Sequence, residues 1–168
     1  NGLIRRTLIA FDVAGSIPSG ATISSVRLEM TMTRTTGGSA TVKLHRVTTD
    51  WGEGSSDAAA EEGGGTTAAS SDATWIHSFF DGSLWASPGG DFVSLSSADT
   101  TISGGGTYTW SSSNRMLADV QGWLNSPSSN FGWIIVGDEG SSRTAKRFGS
   151  RESSSAGERP SLIVEYVP

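Results

Sequence analysis

At 168 residues the chain is long enough for one domain with a real core and too short for two comfortable ones. Gly contributes 22 residues, hydrophobic residues 35% and charged residues 17%, which suits strands joined by long polar loops and excludes a helical bundle. The net charge of −5, with 12 Lys and Arg scattered along the chain, argues against nucleic acid and anionic membranes as partners, and the absence of Cys excludes disulfides, thiolate nucleophiles and zinc–thiolate sites.

No apolar stretch approaches the ~20 residues that span a bilayer, so membrane insertion is not expected. Asn1 leads almost at once into a strand-like pattern rather than a secretory leader, so the chain reads as a mature or excised segment. The Gly/Ser/Thr-rich composition leads us to expect a secreted or cell-surface protein.

In chain order, Leu3 to Phe11 predicts a strand apolar on both faces and therefore central in a sheet. Asp12 to Thr22 is a turn. Ile23 to Arg34 alternates, with Val26, Leu28, Met30 and Met32 on one face, and predicts a half-solvated antiparallel strand. Gly37-Gly38 turns the chain into a strand over Ala40 to Val47, with Val42 and Leu44 inward. From Gly52 to Ala73 almost nothing is available to bury, and so long a loop inside a compact domain is functional or mobile.

Thr74 to Trp85 concentrates aromatics, and short strands are predicted over Asp91 to Leu95 and Gly106 to Trp110. Ser113 to Leu124 is the one helix: Met116, Leu117, Val120, Trp123 and Leu124 recur at helical spacing, Ser113 or Asn114 caps it, and Pro127 ends it. Strands at Phe131 to Val136, Lys146 to Ser150 and Ser161 to Val167 complete the chain. About nine strands, one helix and no βαβ alternation define an all-β antiparallel sandwich, jelly-roll-like or Ig-like, as a single domain over residues 1–168.

The segments RRTLIAFD (5–12), IPSGATISSVRLEM (17–30), HRVTTDWGEGS (45–55), DATWIH (72–77), GGDF (89–92), DVQGWLNSPSSNFGWIIVGDE (119–139), TAKRFGSRE (144–152) and RPSLIVEY (159–166) run in order along nearly the whole chain. In them the sequence resembles the DNRLRE domain family, β-sandwich modules of exported multidomain bacterial and archaeal proteins. Only the final Arg151-Glu152 of the motif that names the family is kept. The resemblance implies a sandwich. It also implies either a carbohydrate-binding module, such as the alginate binders among its members, or a surface or structural module. Relatives place a further extended segment before the Arg5-Arg6 strand. The resemblance therefore implies that such a segment is removed or left out here, or that a neighbouring copy supplies it by strand donation.

Three constellations are candidates for function. The first lies in Asn130–Glu152, where the chain's most continuous apolar run meets its densest charges: Asp138, Glu139, Lys146, Arg147, Arg151 and Glu152, with Arg6 nearby in prospect. It is either a cationic groove for acidic sugars built on Lys146, Arg147 and Arg151, or a set of structural ion pairs among Arg6, Asp138, Glu139, Arg151 and Glu152. Near-equal acids and bases favour the clamp, in which case Arg151→Ala is expected to cost stability. The second is Asp50, Glu53 and Asp57 on a Gly-rich loop, oxygen ligands that would suit calcium but match no EF-hand spacing, so a solvated acidic loop is the plainer expectation. The third is aromatic: Trp51, Trp75, Trp85 and Trp110 lie in or beside loops as candidates for sugar stacking, whereas Trp123 and Trp133 sit on core periodicities.

Catalysis has no signature. His45, expected to face solvent, and His77, expected to pack beside aromatics, accompany no nucleophile motif, and no carboxylate pair stands out. We therefore expect no enzyme and no cofactor beyond that conceivable calcium ion. The reading is a non-catalytic extracellular module that binds polysaccharide or anchors a larger protein, and the alternative is a filament or surface-layer subunit whose partners are copies of itself.

Overall fold

A computed structural model describes residues 4–58 and 65–168. The chain divides into two compact units, one made of Asn1–Arg46 with Ser94–Pro168, the other of Val47–Val93, a subdivision that the sequence reading of one domain does not make.

The first unit is all-β with one substantial helix. Its strands are β1 (Thr7–Ile9), β2 (Thr22–Thr35), β3 (Ala40–Arg46), β4 (Ala98–Ile102), β5 (Gly106–Trp110), β6 (Trp133–Val136), β7 (Lys146–Phe148) and β8 (Ser161–Val167). They form two antiparallel sheets, one ordered β1-β6-β3-β4, the other built around β2. Leu28 pairs with both Trp110 and Leu162, and Met32 with both Gly106 and Phe148. So β5 lies on one side of β2, while β7 and β8 share the other side end to end. Val26, Leu28, Met30 and Met32, the apolar face read from alternation, are at most 2% exposed. Each such buried side chain contributes roughly 1.5–3 kcal/mol.

Several expected elements shift. The predicted central strand at Leu3–Phe11 narrows to β1, which among the described residues lies at the edge of its sheet and pairs with β6; Leu3 lies outside the described residues. The predicted turn after it holds one helical turn, α1 (Val13–Ser16), capped by Asp12, whose Oδ1 accepts from the Gly15 N–H at 2.9 Å. The segment at 91–95 makes only a single bridge, Phe92 to Val47, and the unpredicted β4 takes the place next to β3. His45 is buried at 7% exposure, not solvent-facing. Its sheet neighbour Ile134 is buried as well, whereas alternation alone would open that face to water.

Gly132 explains how β1 closes on β6. Its φ of +70° is one that side-chain-bearing residues rarely adopt, and an added Cβ would overlap the Ile9 carbonyl oxygen.

The helix α2 (Asn114–Asn125) begins where predicted, with the Ser113 Oγ accepting from the Met116 N–H at 3.0 Å. It buries Met116, Val120, Trp123 and Leu124 in the same core as the two sheets. It also finishes β2. Beyond the end of β5, the Ile23 N–H donates to Gln121 Oε1 (2.9 Å) and the Val26 N–H to Ser112 Oγ (3.2 Å), so side chains satisfy donors that a longer strand would have paired. Across the sandwich, Trp110 is fully buried and its Nε1 donates to the Val42 carbonyl of the facing sheet at 2.9 Å.

One carboxylate joins these parts. Asp119 Oδ2 accepts from Ser97 Oγ (2.5 Å) and Trp133 Nε1 (2.9 Å), and its Oδ1 meets Arg46 Nε at 3.2 Å. Helix α2 is thereby tied to β6, to the end of β3 and to the approach to β4, with the Asp119 side chain only 10% exposed. Asp119→Ala would leave two inner donors and a guanidinium unanswered, and we expect it to cost about 3 kcal/mol. Asp119→Asn, which keeps one acceptor, should cost clearly less; urea denaturation midpoints of the two variants check the ordering.

Candidate functional site

Where β6 ends and the chain crosses to β7 on the other sheet, the first unit opens a cleft of about 680 Å3. Its floor is apolar, from Val42, Ile135 and Phe148, because these are core side chains at the end of the sandwich. Its walls are the loop 137–145 and the chain entering β1, which bring hydroxyls (Thr7, Thr36, Ser141, Ser142, Thr144) and the charges of Arg5, Asp138, Glu139, Arg143 and Lys146.

The electrostatics follow from who is paired with whom. Arg6 grips Glu139 as a two-pronged fork, Nε to Oε1 at 2.7 Å and Nη2 to Oε2 at 2.8 Å, with both side chains about four-fifths buried. Lys146 Nζ is held by neutral acceptors only in the bonds that fix it: Thr35 Oγ1 (2.8 Å), the Gly37 carbonyl (3.3 Å) and the Gly38 carbonyl (2.6 Å). These bonds lock the β2–β3 turn onto β7 without cancelling the charge. Arg5 and Arg143 are exposed at the rim. The charged residues lining the cleft are Arg5, Arg143 and Lys146 with Asp138 and Glu139, so cations outnumber acids there in a chain of net charge −5.

The sequence-predicted residues divide accordingly. Arg6, Glu139, Asp138 and Lys146 come together here. Arg147 points to the other side of β7, its Nε donating to Thr33 Oγ1 at 3.0 Å. Arg151 and Glu152 do not join the cluster: β7 stops at Phe148, the two residues sit in a following turn, and they pair with each other while 70% and 79% exposed. Of the expected clamp, the Arg6–Glu139 pair forms, while Arg151 and Glu152 pair with each other in the exposed turn. Arg5, Arg143 and the hydroxyls of 141–144 belong to the site and were not singled out from sequence; no periodicity marks a loop that folds back over a strand end.

Of the four candidate stacking tryptophans, Trp110 is fully buried and Trp85 is 6% exposed, its Nε1 donating to the Thr74 carbonyl, so neither offers a ring face. Trp51 is half-buried and Trp75 is 41% exposed. Trp123 and Trp133 stack edge-to-face in the core, centroids 4.6 Å apart. His77 packs edge-on against Phe80 at 5.2 Å.

In the second unit, Asp50, Glu53 and Asp57 are exposed, and Asp50 Oδ1 accepts from the Trp51 N–H at 2.9 Å. Among the described residues no three His, Asp or Glu side chains converge as a metal site would require. The carboxylate that organises this loop is one the sequence reading passed over. Asp72, 4% exposed, accepts from the N–H groups of Ser55 (3.0 Å), Ser56 (3.3 Å) and Ala69 (2.6 Å), fastening both ends of the segment whose residues 59–64 lie outside the described set. The Ser56 hydroxyl above all, then the Ala69 N–H, outweigh burial and hold its pKa below the ordinary 3.8.

No family model, curated protein or solved structure matches this chain.

Two outcomes follow from this geometry. Arg6→Ala strands Glu139 in a half-closed setting and should cost about 2 kcal/mol, whereas Arg151→Ala should stay within about 0.5 kcal/mol; chemical denaturation separates them. Because the pKa of Asp72 is depressed on folding, its stabilisation is present above pH 3.8 and is lost as pH falls through the lower folded value. The stability gap between the wild type and Asp72→Asn should therefore narrow below about pH 4. A gap constant from pH 7 to pH 3 would show that the ionised carboxylate is not what holds the loop.

Proposed function

We propose that the chain is a non-catalytic module of an exported protein that binds an acidic polysaccharide in the cleft beside β7. One observation carries the reading: in an acidic chain, Arg5, Arg143 and Lys146 gather around a hydroxyl-lined recess whose acids are Asp138 and Glu139, the second of them already paired with Arg6. Guanidinium forks recognise carboxylate or sulfate geometry, and Ser and Thr hydroxyls suit the sugar hydroxyls between the charges. The likeness of the sequence to DNRLRE modules supports a carbohydrate ligand and an exported setting. Trp75, the most exposed tryptophan, belongs to the other unit.

Binding of this kind weakens with salt, because exposed charges are screened within about 8 Å at physiological ionic strength. Calorimetric titration with a polyuronate, a sulfated glycan and a neutral glucan should give heat for the charged polymers only, falling as NaCl rises. Arg143→Asp tests the site directly, since Asp tolerates the left-handed backbone that Arg143 adopts at φ +62°. We expect it to lower affinity at least tenfold while leaving the denaturation midpoint in place. Equal binding of neutral and acidic polymers, or none by either, overturns the reading.

A further inference from the structure

Charge is segregated along this chain. Val47–Val93 contains eight of the 17 Asp and Glu and none of the 12 Lys and Arg, so the other unit carries every cationic side chain against nine acids. A division this complete gives the two units opposite net charge, the kind of complementarity that steers association between molecules.

The acidic unit also presents a shaped feature. Residues 74–85 form a small hairpin whose arms meet at the His77–Leu84 bridge, with the Ser78 N–H donating to the Ser83 carbonyl (2.9 Å) and the Trp85 N–H to the Ile76 carbonyl (3.1 Å). Further hydrogen bonds close its base. Trp85, which ends the hairpin, is buried, and Thr74 Oγ1 accepts from the N–H groups of Ile76 (3.3 Å) and His77 (3.0 Å). Such locking holds Trp75, Ile76 and Leu84 out in water at 41%, 51% and 64% exposure, although each would gain by burial. At the tip, Asp81 is exposed and held at φ +62° in a turn closed by the Gly82 N–H to the Phe79 carbonyl.

An apolar-flanked hairpin with an acidic tip is the complement of a cleft with an apolar floor and a cationic rim. We propose that the Thr74–Trp85 hairpin of one copy docks in the cleft of a second copy, with Ile76 and Leu84 over Val42, Ile135 and Phe148 and Asp81 facing Arg5 and Arg143. Different surfaces meet, so the contact is heterologous and propagates into a chain of copies or closes into a ring, according to the rotation it imposes. It differs from strand donation in needing no exchanged strand. The inference does not depend on the glycan reading, but the two share a cleft, so an acidic polymer competes with assembly.

Sedimentation velocity from micromolar to millimolar protein, in 50 mM and 500 mM NaCl, tests it. The wild type should gain mass with concentration at low salt and return to monomer at high salt. Leu84→Ser and Arg143→Asp should each remain monomeric when alone, at unchanged circular dichroism. Mixed one to one they should form a dimer and stop there, since Arg143→Asp keeps a working hairpin and Leu84→Ser a working cleft. Leu84→Ser should still bind the acidic glycan as the wild type does, which separates failure of assembly from failure of the cleft. A wild type that is monomeric at 1 mM in low salt overturns the proposal. So does association that survives either variant, or a mixture that stays monomeric.

Discussion

The sandwich depends on one buried carboxylate. Two sheets and a helix supply apolar surface in plenty, but apolar contact is non-directional and does not by itself set the angle at which α2 meets the strands. Asp119 does. By accepting from Trp133 and Ser97 and pairing with Arg46, it gives the helix a single seat against β6, β3 and the approach to β4. The cost of placing a charge at a site only one-tenth exposed is met because every partner is a donor with fixed geometry. Gln121 and Ser112 extend the same logic to the backbone, closing the unpaired stretch of β2.

A similar economy shapes the cleft. A loop crossing between sheets has carbonyls and N–H groups to satisfy, and cationic side chains satisfy carbonyls well. Lys146 draws the β2–β3 turn onto β7, and Arg6 fixes Glu139. On the proposed function, structural pairing and ligand recognition therefore use the same kinds of residue in one cleft. The two are told apart by whether the partner carries an opposite charge: Arg6 is spent on Glu139, whereas the bonds at Lys146 are to neutral oxygens and leave its charge available. The acidic unit shows the converse, since Asp72 gathers backbone N–H groups and is ionised for the sake of its loop.

Much of this is legible in the sequence, and the reasons are local. Val26, Leu28, Met30 and Met32 announce their face by alternation, and Ser113, Val120 and Trp123 announce a capped helix by spacing. What failed were readings that needed to know a neighbour. Leu8 and Ile9 look like a central strand, yet their strand is an edge. Trp110 looks like a loop aromatic, yet its ring plugs the space between sheets, and His45 looks solvent-facing on a sheet covered at that point. Arg151, adjacent in sequence to a charged cluster, is carried away from it by a turn begun after Phe148.

By itself the sequence determined the all-β class, the lone helix and the identity of most core side chains, because period-2 and period-3.6 burial are properties of short segments. The stretch from Asn130 to Glu152 could also be recognised as the place where core and charge meet. Only the tertiary structure decided which charges there are spent and which remain. Pairing depends on residues such as Arg6 and Glu139, brought together from 133 positions apart, and no local pattern records that distance.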